Sequence, residues 1–432
     1  MNHTQQLLNF IEKCPSPYHR AETLSKILDE NGFTRIYEQD NRVLTPGGKY
    51  YVLRNYSSVI AFKIPKDVKA FNIIAAHLDS PTFKIKENPQ LKQGPYISLN
   101  TERYGGMIYS TWLDRPLSVA GRILVKDGNG VKQKLVNIDR DLLIIPNLAI
   151  HMDRTANDGK KMNPQTDLLP LYALESETVD FYSQIAQAAG VEKDDILSDD
   201  LFLYNRQKGT ILGADSEFVA SPKLDDLQCV FAALQGFLSA KEEKSLPVLA
   251  IFDNEEVGSE TKQGARSTFL SDVLYRITKS VGGHRDDMTR FLSNSFMISA
   301  DNAHAVHPNN MSVADPTNRP AINGGIVIKY NANQRYTTDA VSSALFKMIL
   351  DKAGVKYQTF HNRSDILGGG TLGNISNTRV SVNTVDIGLP QLAMHSAYET
   401  AGVKDTEDFI LASNTFYECE IEKQGDGMYI IK

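Results

Sequence analysis

The segment Phe252-Asp253-Asn254-Glu255-Glu256-Val257-Gly258-Ser259 ends an apolar run in two adjacent carboxylates, Glu255 and Glu256. Such a pair repels itself, and desolvation at the end of a buried strand adds to the cost. The arrangement is tolerable where one carboxylate binds a cation and the other is held ready to move a proton. Taken alone, the two also fit a pair splayed into solvent at the start of a loop, but Gly258 favours a tight turn that keeps both near the strand end. Four further polar clusters close apolar runs: His77 with Asp79, Asp225 with Asp226, Asp301 with His304 and His307, and His395.

His77-Leu78-Asp79 follows Ile73-Ile74-Ala75-Ala76. In extended backbone His77 and Asp79 point to the same side, which suits an imidazole ligand with a carboxylate helper. Asp225 and Asp226 precede a helix, where an Asp commonly caps. Two consecutive Asp need only one cap, and a carboxylate bridging two cations would occupy the other. Asp301 closes the run Phe296–Ala300; of the histidines after it, His307 before Pro308 reads as a loop-packing residue. His395 follows the strand around Val385. Jointly, His, Asp, Glu, Asp and His after different strands offer nitrogen and oxygen donors and no thiolate. That set suits two Zn²⁺ ions whose shared water becomes a nucleophile near neutral pH. Mn²⁺ or Co²⁺ could take the same ligands.

The elements that must position these groups form an α/β pattern. The chain has 432 residues, enough for two domains or one domain with a large insertion. Helices are expected at 7–12 and 20–31, the second ended by Gly32, and a hairpin at 50–54 and 59–62 precedes a buried strand at 71–76. From about residue 92 to 208 the texture changes to short β-type runs (122–125, 134–138) with Gly and Pro, a polar loop at 157–167 and one helix at 178–190. From Pro222 onward helices (226–238, 338–353) alternate with strands (247–252, 295–299, 325–330, 382–387). Thr338 is expected to cap the last of these helices, Val341, Leu345, Met348 and Ile349 to line its buried face, and Gly354 to end it. The expectation is a mixed central sheet flanked by helices, split by an inserted β-rich domain: residues 1–90, 91–220 and 221–432. Ligands in such sheets sit beyond the carboxyl ends of the strands.

Composition narrows the partners. A net charge of −6 gives no general attraction to nucleic acid or anionic lipid, so neither partner is expected. No apolar run reaches the ~18 residues of a membrane span, and the N-terminus lacks a signal pattern, so a cytoplasmic location is expected. Three scattered cysteines, Cys14, Cys229 and Cys419, read as reduced thiols, Cys229 as helix packing.

Five segments resemble the aspartyl aminopeptidase family, within the dinuclear zinc aminopeptidases: Ala-His-Leu-Asp-Ser-Pro at 76–81, Ser-Pro-Lys-Leu-Asp-Asp at 221–226, Asp-Asn-Glu-Glu-Val-Gly-Ser at 253–259, Ser-Ala-Asp-Asn-Ala-His-Ala-Val-His-Pro-Asn at 299–309 and Met-His-Ser at 394–396. They stand in family order across nearly the whole chain. The resemblance implies that Asp225 bridges two zinc ions per subunit, with His77 and Asp301 completing one site and Glu256 and His395 the other. It implies that Asp79 orients His77 and that Glu255 is the general base. It also implies a preference for an acidic N-terminal residue, with Lys329 as the cation of the specificity pocket, Tyr336 beside it and His304 touching substrate. His151 matches a histidine that reaches a neighbouring subunit's site; a role as a metal ligand is the alternative. The family's inserted domain dimerises, and its dimers build a tetrahedral dodecamer that limits substrates to peptides. A dizinc aminopeptidase of neutral or broad specificity is the second reading, and a silent peptide-binding scaffold the third.

Overall fold

The computed structural model describes residues 2–41, 44–241 and 245–432. Its largest sheet has nine strands in the spatial order Thr34–Ile36, Lys49–Arg54, Ser58–Lys63, Leu246–Phe252, Phe71–His77, Phe296–Ala300, Asn383–Gly388, Ile326–Tyr330 and Tyr357–His361. The four middle strands, Leu246–Phe252 to Asn383–Gly388, are mutually parallel, and antiparallel pairings flank them on both sides. The sheet is therefore mixed, as the alternating sequence pattern implied.

The middle strands are apolar throughout because both faces are covered. Ile74 and Ala76 pack on one face with the helices His3–Glu12, Pro17–Glu30, Leu224–Ser239, Ala340–Ala353 and Val403–Glu418. Ile73 and Ala75, one residue out of step, pack on the other with Phe269–Ser280, Arg285–Ser293 and Leu372–Asn377. Each fully buried Ile or Phe in these layers contributes roughly 1.5–3 kcal/mol.

A second sheet of six strands, with all its recorded pairings antiparallel, is built between Thr82 and Asn205 around its own core, which includes Phe83, Leu99, Trp112, Leu117 and Leu201. Its Leu117–Asp127 and Gly130–Asn137 strands turn at Gly128-Asn129, where Gly128 takes the left-handed φ of 59°. Residues 157–167 lie in largely exposed turns, without helix or strand. A third sheet, of five short strands, runs Thr210–Leu212, Phe218–Ser221, Glu399–Gly402, Pro390–Leu392, Ala303–His304. Among the described residues no helix is long and apolar enough to cross a membrane.

Several element boundaries differ from the sequence expectation for local reasons. The first helix begins at His3 rather than residue 7, because the Asn2 side chain accepts the Gln5 N–H. Ser16 caps the second, with Pro17 at its first position. The helix expected to be capped by Thr338 is capped by Asp339, whose carboxylate accepts the Ser342 N–H and whose own N–H donates to the Ser342 hydroxyl. Thr338 is occupied elsewhere: its hydroxyl accepts the Asp386 N–H at 2.9 Å. On that helix Met348 is 57% exposed, and Phe346 and Leu350 take the buried positions beside Leu345 and Ile349. Gly354 ends the helix in the left-handed conformation, as expected.

Candidate active site

The parallel middle strands bring their carboxyl ends to one edge, and the candidate groups leave from there. His77 is the last residue of its strand, Asp301 follows Ala300, and Glu255 follows Phe252 by three positions. Glu255–Val257 make one 3₁₀ turn between Asn254 and Gly258, both left-handed at φ 63° and 96°, the tight turn implied by Gly258. The third sheet and the helix after its second strand supply the facing side: Asp225 stands at the start of the helix Leu224–Ser239, just past the strand Phe218–Ser221, and His395 in the loop between Pro390–Leu392 and Glu399–Gly402. Gly388 permits the approach of two strands, since a Cβ there would lie 2.1 Å from the Asp301 carbonyl oxygen.

Asp225 is central and buried. One carboxylate oxygen lies 3.4 Å from His77 Nε2, and the other lies 3.5 Å from His395 Nε2, which is itself 3.3 Å from a Glu256 oxygen. These separations exceed the usual range for a charge-assisted hydrogen bond. They match the ~3.4 Å edge of a tetrahedron whose corners lie ~2.0–2.1 Å from a zinc ion. Asp225 Oδ1 and Glu256 Oε1 are buried with no hydrogen-bond partner, a costly state unless a cation binds there. The donors group as His77/Asp225/Asp301 and as Asp225/Glu256/His395, the atoms of each triad within 4.8 Å of one another, with Asp225 common to both. A third grouping joins His77, Glu255 and Glu256. This nitrogen–oxygen set fits zinc.

Surrounding groups aim the donors. His77 Nδ1 donates back to the Asp79 carbonyl oxygen at 3.2 Å, which leaves Nε2 facing Asp225. The Asp79 carboxylate lies 3.4 Å from the same Nδ1, accepts the Glu255 and Glu256 N–H groups at 3.0 Å each, and accepts the Tyr104 hydroxyl at 2.8 Å. His395 Nδ1 donates to the Gly106 carbonyl oxygen. Glu399, buried, accepts the Asp225 N–H at 3.0 Å and the His395 N–H at 2.8 Å, one oxygen each. Asp226, the second of the pair, turns away and accepts the His77 N–H at 3.2 Å.

A cavity of about 310 Å³ opens beside these groups and is lined also by His304, Lys329, Tyr336, Phe360 and Thr371. Lys329 is buried; its ammonium donates to the Asn302 carbonyl oxygen at 2.9 Å, lies 3.7 Å from Asp301 and stands 5.6 Å from the Tyr336 ring centre. Its neighbour Asp301 overcomes the burial penalty and holds the ammonium charged. His304 packs edge-on against Phe360. His307 lies in the following loop, where its Nδ1 accepts the Asn309 N–H, and does not line the cavity.

Without a cation the cluster holds protons. Burial, then Asp301, Asp79 and Asp225, push Glu255 up to about 8, and burial with Asp225 and Glu255 lifts Glu256 well above the usual carboxylate range. Burial opposes ionisation of Asp225, but hydrogen bonding with His395 and His77 outweighs it and holds Asp225 below that range.

Of the sequence-singled residues, His77, Asp225, Glu255, Glu256, Asp301, His304, Lys329, Tyr336 and His395 all line this cavity, with Asp79 directly behind. His151 does not: it is exposed in a turn of the 138–170 segment and lines no part of the cavity. Tyr104, Gly106 and Glu399 are functional residues beyond those that the sequence singles out. Glu399, four residues beyond His395, is marked by that proximity; Tyr104 and Gly106 carry no local signal.

Imidazole and carboxylate donors converging at the carboxyl ends of parallel middle strands, beside a cavity, define a metal-dependent hydrolase. The chain belongs to the M18 aminopeptidase family: the model described as aminopeptidase I zinc metalloprotease (M18) matches residues 10–417. It is a zinc-dependent aminopeptidase, a hydrolase of the exopeptidase kind. It is 49% identical over 411 residues to a probable M18 family aminopeptidase 2 of Clostridium acetobutylicum, covering 93% of this chain and 95% of that one. Among solved structures, one of the Ape4 and Nbr1 complex matches with a TM-score of 0.93 and 38% identity over 96% of this chain and 85% of that one. The S. cerevisiae mApe1 dodecamer matches with a TM-score of 0.85 and 28% identity over 96% of each chain.

Proposed function

We propose that this aminopeptidase binds two zinc ions per subunit and releases N-terminal residues, preferably Asp or Glu, from peptides. The observation that carries the dinuclear reading is Asp225, whose two oxygens face two different histidines at 3.4 and 3.5 Å. In this reading His77 and Asp301 hold one ion with Asp225, and Glu256 and His395 hold the other. Bound zinc supplies a Lewis acid that polarises the scissile carbonyl and makes a water nucleophilic near neutral pH.

The chain's own groups do the rest. A Glu255 carboxylate oxygen takes the proton from the attacking water and passes it to the leaving amine; its freedom from the two ligand triads sharing Asp225 leaves it available. Asp79 fixes the Glu255 main chain, so the base cannot drift from its station. Lys329 sits at the cavity wall where it can pair with an acidic side chain, while Tyr336 and Phe360 narrow the space around it and His304 contacts the substrate.

We further infer that the 91–220 segment dimerises the protein, between catalytic parts at 1–90 and 221–432, and that the dimers build a dodecamer. The dodecameric state of the similar mApe1 supports this reading. So does the exposure of His151, which would serve a neighbouring subunit's site. The three cysteines are buried and in no disulfide, which is consistent with work in the cytoplasm.

One assay tests the reading: release of Asp, Glu and Leu from N-terminal peptides before and after chelation, with Zn²⁺, Mn²⁺ or Co²⁺ restored. Loss on chelation, recovery with metal and faster release of Asp and Glu are expected. Equal rates on Leu-peptides would replace the acidic preference with a broad one.

A further inference from the structure

Part of the wall of the cavity that Lys329 lines comes from Tyr336 and from Gly369-Gly370-Thr371. Neither is part of a strand of the central sheet. Loops of this kind need an anchor if they are to keep a fixed pocket shape.

Asp386, fully buried in the strand Asn383–Gly388, provides one. One carboxylate oxygen accepts both the main-chain N–H of Thr337 at 2.5 Å and its hydroxyl at 2.6 Å. The other accepts the Thr371 hydroxyl at 2.7 Å. The Asp386 main chain binds the first segment again: its N–H donates to the Thr338 hydroxyl at 2.9 Å, and its carbonyl accepts that hydroxyl at 3.4 Å. Gly373 lets the second segment come this close, since a Cβ there would lie 2.7 Å from the same carboxylate. Arg335 and Gly368, bonded at 3.2 Å, join the two segments directly.

We propose that Asp386 is the positioning residue of the specificity pocket, holding the Tyr336 and Thr371 segments at a fixed spacing around Lys329 and so setting which N-terminal side chain is accepted. The carboxylate does not itself reach substrate; it acts through the two threonines. The proposal rests on the acidic preference above for its direction, and on the hydrogen bonds alone for the identity of the anchor.

The test is steady-state kinetics of Asp386→Asn and Thr337→Val on peptides beginning with Asp, Glu, Leu and Ala, alongside zinc content. Loosened walls remove binding rather than chemistry, so KM for Asp- and Glu-peptides is expected to rise about tenfold with kcat nearly unchanged and zinc content intact. Thr337 lies outside the cavity and keeps Asp386 in place, so it decides the matter if Asp386→Asn does not fold. Unchanged KM ratios across the four peptides, or an equal loss on all of them, would overturn the assignment. If the wild type shows no acidic preference, that reading fails by itself. Asp386 is then judged on the wild type's own order of KM values: a changed order in the variants sustains it and an unchanged order sinks it.

Discussion

Glu399 and Asp225, 174 residues apart in the chain, are joined by a 3.0 Å hydrogen bond from the Asp225 N–H to a Glu399 oxygen, and the other oxygen takes the His395 N–H. A single buried carboxylate thus sets the distance between Asp225, common to the two donor triads, and His395, which belongs to one of them. Glu399→Gln replaces one acceptor by an NH₂ group facing an N–H donor, at a cost of about 1–3 kcal/mol. Calorimetric titration with Zn²⁺ is expected to show the ion held by Asp225, Glu256 and His395 weakened by about 10–100-fold, as for other partners of metal ligands. An unaltered isotherm would count against this.

Glu255→Ala is expected to cut kcat by about 10²–10⁴-fold, the usual worth of a positioned proton carrier. Zinc content by elemental analysis should not change, because Asp225, His77, Asp301, Glu256 and His395 remain. Loss of metal along with activity would make Glu255 a ligand instead, the alternative offered by its grouping with His77 and Glu256.

Lys329→Met removes the cavity's buried cation while keeping most of the length of the side chain. KM for Asp- and Glu-peptides should rise at least about tenfold, with Leu-peptides affected far less. Asp301 loses its 3.7 Å partner, so thermal unfolding of the metal-free protein should also come earlier; unpairing a buried ion pair costs about 3–5 kcal/mol. Equal kinetic losses on both peptide types would take Lys329 out of the specificity pocket.

Glu255 stands at about 8 against an ordinary 4.5, so the metal-free folded protein binds a proton there that the unfolded chain releases. The sign follows: from this group metal-free stability falls as pH rises from about 4.5 to about 8. A bound cation relieves the same carboxylates, and its binding displaces protons. The rise in Tm on adding Zn²⁺ should therefore be larger at about pH 8 than at about pH 6, with proton release seen by calorimetry in buffers of different ionisation enthalpy. A pH-independent rise would show that the cluster is ionised already.

Much of this site could be read from the chain because its donors end apolar runs. His77, Asp301 and Glu255 stand where buried strands stop, and near-continuous apolar runs such as 71–76, buried on both faces, make those strands visible. The illegible parts are long-range. Tyr104 binds Asp79 across 25 positions and His395 binds Gly106 across 289, from a sheet with its own core, and nothing near either residue announces the contact. Thr338 failed as a cap because a tertiary partner, Asp386, claimed its hydroxyl and left the neighbouring Asp339 to start the helix.

The donors are scattered from His77 to His395 of a 432-residue chain, and their supports come from the three larger sheets. During synthesis, then, the catalytic centre cannot close until the last tenth or so of the chain has begun to emerge. A product that stops short of His395 lacks that imidazole and the Glu399 carboxylate that holds it, and its cluster of donors stays incomplete.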